Sequence, residues 1–288
     1  MCFDGPTSMP FSRPSKEQLS ALTPMERVAF TVGDLSSRHL GTASKAYNTV
    51  VMGAMLWGAS CRRLRVHGLE HLLRYGKKDC VLVVANHRTF FDFFVITAVV
   101  YWKTRLSHRI LFPVRSNFFY DHPLGPLVNG AMAGMTMFPP VLRTDDKQKR
   151  TVFNEYSVQR SIEELAVPGT TMGLHPEGTR NKGPDPYAML RARPGVGKIA
   201  LSSPHAHVIP AFVLGMGNQL PKEYVYNWLY ADTHRVDAMF GPELDLSDLR
   251  REPVTKETSQ LASERMVDAI GALAARHRAQ FGPPPVTG

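Results

Sequence analysis

Val81-Leu-Val-Val-Ala85 runs directly into Asn86-His-Arg-Thr-Phe-Phe-Asp92, and a second apolar run follows from Phe93 to Trp102. The first run is unbroken and rich in valine, as in a strand covered on both faces. The second reads as a helix from about Phe91 to Trp102. The polar interval between them is therefore a strand-to-helix junction.

The same texture extends outward on both sides. Leu64-Arg-Val-His-Gly-Leu-Glu70 alternates like a strand ending in a turn, and Ile110 to Val114, Thr171 to Leu174 and His207 to Leu214 read as further strands. Helices are expected over Leu124 to Gly134, over Thr151 to Ala166 (stopped by Pro168-Gly169) and over Leu261 to Gln280. Strands alternating with helices predict an α/β fold with a largely parallel mixed sheet flanked by helices. No internal repeat is visible.

Upstream of Leu64 the pattern differs. Residues 1–18 read as a loose arm rich in Pro and Ser. A helix is expected from Lys16 to Ser36, with Pro24 as a possible break, and another from Thr42 to Leu64. The second carries Val50, Val51, Met52, Met55, Leu56 and Trp57, which leave no clean polar face, and it is flanked by Lys45, Arg62, Arg63 and Arg65. Two readings stand side by side: a helix buried in the core, or one sunk in a bilayer interface with its arginines at headgroup level. The chain divides accordingly into an N-terminal arm and helical membrane-associating segment, 1–61, and an α/β domain with a C-terminal helix, 62–288.

Composition narrows the function classes. Over 288 residues, 43% are hydrophobic and 20% charged, which excludes wholesale disorder. The formal net charge is +9, so the expected partners are anionic: lipid headgroups, phosphorylated small molecules, coenzyme A, an acidic carrier or nucleic acid. No nucleic-acid-binding motif accompanies the charge. Cys2, Cys61 and Cys80 form no C-x-x-C pair, which speaks against a disulfide scaffold or a cysteine zinc site and for a reducing compartment. The N-terminal Met-Cys-Phe-Asp-Gly-Pro lacks the basic start and apolar core of a signal peptide, and no run reaches the roughly 18 apolar residues of a membrane span. The expected location is the cytoplasmic face of a membrane, peripherally attached.

Two short stretches carry chemistry. His87 and Asp92 would lie about 140° apart on a straight helix, so they meet only if the chain turns between them. A strand-to-helix junction provides such a turn, letting the carboxylate accept from one imidazole nitrogen and leave the other as a base. Spacing alone favours a plainer reading, a histidine satisfying a loop carbonyl and an aspartate capping a helix. No Gly-x-Ser-x-Gly elbow is present, so a base acting on a substrate hydroxyl fits better than a protein nucleophile. The second stretch is His175-Pro-Glu-Gly-Thr-Arg-Asn181, where Arg180 offers a fork for phosphate and Glu177 could hold Arg180 or a substrate hydroxyl. In isolation it reads as a surface turn. His205-Ala-His207 has metal-like spacing but no partner pattern.

Together the stretches resemble the glycerolipid acyltransferase family, which includes the lysophosphatidic acid (1-acyl-sn-glycerol-3-phosphate) acyltransferases. Positions 86–92 match its Asn-His-x-x-x-x-Asp motif and 176–180 its Pro-Glu-Gly-Thr-Arg motif. Val208-Ile-Pro210 matches its hydrophobic strand ending in proline, and Val66-His-Gly-Leu-Glu70 its leading strand; the likeness covers roughly residues 64–215. The second family motif departs. Arg115, Pro123 and Gly125 fit its first half, but Pro140 stands where a phosphate-contacting arginine is expected, and Arg143 is its nearest substitute.

The resemblance implies an O-acyltransferase moving a fatty acyl group from acyl-CoA or acyl carrier protein to a lysophospholipid, most simply 1-acyl-sn-glycerol-3-phosphate. It implies His87 as base, Asp92 as its orienting anion, and Arg88, Arg115, Arg143, Glu177, Gly178, Thr179 and Arg180 as substrate contacts, with no metal or cofactor beyond the acyl co-substrate. The alternatives are a different acceptor such as a lyso-ornithine lipid, a thioesterase, and a non-catalytic basic membrane-binding module.

Overall fold

The computed structural model describes residues 11–115 and 136–282. The helix expected over 124–134, with Pro123 and Gly125, lies outside the described residues. The strands are β1 (Leu64–His67), β2 (Cys80–Ala85), β3 (Arg109–Leu111), β4 (Thr170–Leu174), β5 (Ala206–Leu214) and β6 (Val236–Phe240). They form one sheet in the order β1-β6-β5-β2-β4-β3, parallel everywhere except between β5 and β6. The helices before the sheet are α1 (Lys16–Ser20), α2 (Pro24–His39), α3 (Gly41–Tyr47) and α4 (Gly53–Ser60), the last two joined by a π turn, Asn48–Met52. Within and after it come α5 (Glu70–Leu73), α6 (Asp92–Lys103), α7 (Lys147–Leu165), α8 (Pro194–Leu201), α9 (Leu220–Leu229) and α10 (Lys256–Phe281).

The unbroken apolar run of β2 has a direct cause. Val81, Val83 and Ala85 face one core, shared with α4 and α6. Leu82 and Val84 face the other, shared with α8 and α10. Successive side chains of a strand point to opposite faces, and here both faces are covered. β3 is shorter than expected because its pairing changes: Phe112 N donates to the Thr136 carbonyl, and Val141 N to the Val114 carbonyl, so the chain leaves β4 for the 136–141 segment.

Pro24 does not break a long helix but begins one. Thr23 caps α2 through a reciprocal pair with Glu26, and Pro24 takes the first helical position, where its missing N–H costs nothing. The α3–α4 rod has one buried face and one exposed face. Met52, Leu56 and Ala59 join the main core, whereas Tyr47, Val50, Val51, Ala54 and Trp57 are exposed. No described helix is long and apolar enough to cross a membrane.

Candidate active site

β4, β2 and β5 are neighbours, and Val84 pairs with Leu174 in register. Chain segments leaving the carboxyl ends of adjacent parallel strands emerge side by side, the usual place for a site in such sheets. The two motifs, far apart in sequence, therefore meet. They are also clamped together. His87 N donates to Glu177 Oε2 at 2.7 Å, and the His87 carbonyl accepts from Asn181 N at 2.7 Å. Glu177 Oε1 accepts from Leu190 N at 2.7 Å. From the other side, the Asn86 side-chain amide pairs with both backbone groups of Val213 on β5, at 2.9 and 2.7 Å.

The chain turns between residues 87 and 92, and Asp92 closes the turn. Its Oδ2 accepts from Arg88 N (2.7 Å) and Thr89 N (2.9 Å), and its Oδ1 accepts from Thr89 Oγ1 (2.8 Å). The same Oδ2 lies 3.1 Å from His87 Nδ1. With every other neighbour of that carboxylate a donor, the imidazole proton belongs on Nδ1, which leaves Nε2 as the acceptor nitrogen. Asp92 is buried at the first residue of α6, and His87 is partly open to solvent.

His87 is supported from beneath by His175. The two rings are parallel, with centroids 3.8 Å apart and planes 10° from each other. His175 is held in turn by a 3.0 Å contact from its Nδ1 to the Ala85 carbonyl and by Phe93 against its ring at 4.3 Å. Gly173 makes room for Phe93: a Cβ there would come within 2.3 Å of that ring.

Both histidines are kept neutral. Burial first, then the Arg180 and Arg115 guanidiniums, push the His87 imidazole down to about 3. Burial and the neighbouring His87 do the same for His175, also to about 3. Burial raises the Asp92 and Glu177 carboxyls, opposed in each by the N–H donors they receive.

Gly178 is the hub of a cationic cluster. Its φ of +66° is a left-handed conformation that suits glycine, and it presents its carbonyl to both Arg115 Nη2 (2.8 Å) and Arg143 Nη2 (3.1 Å). Burial and mutual repulsion lower the affinity of Arg115 for its proton, with Arg143 and Arg180 as the repelling neighbours. Arg143 feels Arg150 and Arg193 in the same way. Arg180 has no hydrogen-bond or ion-pair partner among the described residues. Guanidiniums gathered around one loop concentrate positive charge, which favours an anion. Arg143 reaches the Gly178 carbonyl because the Arg115–Val141 bridge brings the segment 141–143 alongside residue 115.

Other expected contacts go elsewhere. Arg88 donates to the carbonyls of Gly183 (2.9 Å) and Asp185 (3.3 Å) and so braces the loop after the second motif. Glu177 is only 2% exposed, with both oxygens on backbone N–H groups. Thr179 lies half-buried between Gly178 and Arg180. His175 belongs to a quoted motif yet received no role, since sequence shows no ring stacking. His207 faces Glu243 at 2.8 Å, while His205 lies 3.3 Å from the Leu165 carbonyl, so the His-Ala-His spacing converges on nothing.

Among the described residues one group could be considered for a metal, His87, Asp92 and His175, whose ligand atoms lie within 4.8 Å of one another. The donor set does not fit. Imidazole lone pairs lie in the ring planes, and two nearly parallel planes do not share an ion, while the carboxylate oxygen nearest them already takes two backbone N–H groups.

The site thus sets a His–Asp dyad beside several arginines at the carboxyl ends of the strands. The Acyltransferase family model matches residues 63–214, more than half of the chain, and spans both motifs. The chain belongs to the acyltransferase family. No curated protein matches it. Among solved structures it is similar to the crystal structure of the 1-acyl-sn-glycerophosphate (LPA) acyltransferase PlsC from Thermotoga maritima. The identity is 15% and the TM-score 0.42, over 85% of this chain and 93% of that one.

Proposed function

We propose that the protein transfers a fatty acyl group from a thioester, acyl-CoA or acyl carrier protein, to the free hydroxyl of 1-acyl-sn-glycerol-3-phosphate. The observation that carries this reading is the juxtaposition at Gly178: Arg115 and Arg143 meet the loop that carries Arg180 and the Glu177 that clamps His87. Nε2 of His87 takes the hydroxyl proton as the oxygen attacks the thioester carbonyl. The C–S bond breaks, and the imidazolium returns its proton to the leaving thiolate. Asp92 keeps the ring in the right tautomer and stabilises the imidazolium, a contribution of about 10²–10⁴-fold.

The cluster ties recognition to catalysis. Burial first, and then Arg180 and Arg115, hold His87 neutral but also make it a weak base. A phosphate among the arginines cancels their field, so the base strengthens when the correct acceptor binds. Arg180, Arg115 and Arg143 hold the phosphate, with Thr179 lining the same loop. Glu177 and Arg88 act as positioning residues.

The exposed Tyr47, Val50, Val51, Ala54 and Trp57 stripe supports peripheral docking of the 42–65 segment on a membrane, where such an acceptor resides. The test is thiol release from acyl-CoA with and without lysophosphatidic acid, for the wild type and His87→Ala. Release that needs the lysolipid and is lost in a folded His87→Ala protein is the expected result. Release without lysolipid identifies a thioesterase, and no release leaves a binding module.

A further inference from the structure

Helix α9 is inside out. At about 100° per residue, Glu223 and Asn227 share one face of the helix, and Val225, Trp228 and Leu229 occupy the opposite one. In a helix resting on a soluble core the apolar side faces inward. Here Glu223 and Asn227 are buried, while Trp228 is 43% and Leu229 72% exposed. Tyr230 and Val225 are exposed beside them.

The buried polar face is fully used. Glu223 forms an ion pair with the buried Arg63. Asn227 Nδ2 donates to the Gly58 carbonyl at 2.9 Å, and its Oδ1 accepts from Arg62 N at 2.9 Å. Tyr224 OH donates to the Met55 carbonyl at 3.0 Å. These bonds staple α9 to α4 and fix which side looks out. Trp228 then lies against Trp57, ring centroids 5.5 Å apart, so the outer face of α9 continues the exposed stripe of α3–α4.

We propose that the outer face of α9 is a second lipid-contacting element, entering the headgroup region of an anionic phospholipid bilayer beside Trp57. The proposal rests on the docking reading given above and extends it to a helix outside that segment. Single exposed apolar residues are ordinary, but an apolar helix face joined to a second one through the Trp228–Trp57 contact marks a contact surface. Tryptophan and tyrosine are the side chains that favour a membrane–water interface.

Charge selects lipid as the occupant. Lys222 lies on the outward side of the helix, Arg62 donates to the Trp228 carbonyl at 3.0 Å, and Arg65 donates to the Arg62 carbonyl at 3.3 Å. All three are exposed; the exposed acids near them in sequence are Asp232 and Glu70. The position also suits the chemistry. Asn218, two residues before α9, accepts from Phe90 N at 2.9 Å, so the docking helix is tied to the turn carrying the dyad.

The experiment is flotation of the full chain with vesicles of phosphatidylcholine and phosphatidylglycerol, read independently of catalysis. Trp228→Ala combined with Leu229→Ala is expected to lower the partition coefficient roughly tenfold or more, since two large side chains lose apolar contact. Because both are exposed, the unfolding temperature should stay near that of the wild type. A fluorophore on Leu229→Cys should shift to the blue on adding vesicles, a readout that needs no destabilising change. If the wild type floats and Val51→Asp with Trp57→Asp weakens it, while the α9 changes leave it unaltered and the fluorophore does not shift, α9 is not a lipid contact and the 42–65 docking stands. A wild type that does not float overturns both. Conversion of a dimer to a monomer by the α9 changes would make this face an interface between copies instead.

Discussion

Replacing Glu177 by Gln separates a positioning role from a substrate contact. The carboxylate accepts one backbone N–H on each oxygen, from His87 and from Leu190, and is shielded from solvent. Gln retains one acceptor oxygen and sets an N–H₂ against the other N–H. One charge-assisted bond is lost, and a buried donor is left unpaired, which costs about 2–3 kcal/mol. For a domain of this size that lowers the unfolding temperature by about 4–12 °C. The His87 backbone moves with the lost bond, and a displacement near 1 Å at a reacting group costs on the order of 10²-fold. Calorimetry with steady-state acyl-transfer assays should therefore show lower stability and lower kcat, with the acceptor KM little changed. A variant as stable as the wild type with a raised KM would refute this account of Glu177 and restore it as a substrate contact.

His87 should remain neutral in the free enzyme well below the usual histidine range, observed as an imidazole NMR resonance that does not titrate between about pH 5 and 8, and Arg115→Gln should raise its pKa because a repelling cation is gone. As both site histidines have folded values depressed below 6.5, the unfolded chain binds protons first, so stability is present above about 6.5 and should fall progressively as pH drops toward about 3, followed by chemical denaturation at a series of pH values. Arg180→Ala should raise the KM for lysophosphatidic acid by roughly 10- to 150-fold, Arg143→Ala should do so less, and Arg180→Lys should rescue in part since an ammonium has no fork. Glu223→Gln should destabilise by about 3–5 kcal/mol by stranding the buried Arg63, whereas Arg63→Met with Glu223→Leu should recover much of the loss in denaturant titrations.

The sheet was legible where residues follow a simple period. β2 is apolar throughout and β5 nearly so, and the junction after β2 follows from the switch of texture at Asn86. β6 was not, because Asp237 interrupts its pattern. Its carboxylate is buried against Arg235 (3.0 Å) and against His67 (3.1 Å) and His277 (3.3 Å), the last two far off in sequence. α9 escaped for a related reason: Glu223 and Asn227 look like solvent-facing residues and are the buried ones. In the site, the motif residues were visible as a set, but their division of labour was not. Glu177 and Arg88 read as ligands for substrate and are spent on backbone groups, a distinction made only by the loop that folds over them. The stacking of His175 on His87 was hidden as well, because it depends on the register of β2 with β4.

The most direct test of the central claim is product analysis with one thioester donor and three acceptors: lysophosphatidic acid, uncharged monoacylglycerol and a lyso-amino lipid. Phosphatidic acid should be the main product, with the uncharged acceptor deficient in kcat as well as in KM, because without a phosphate the arginines add to burial in keeping His87 a weak base. Equal or better transfer to an acceptor lacking phosphate, insensitive to Arg180→Ala, would contradict it.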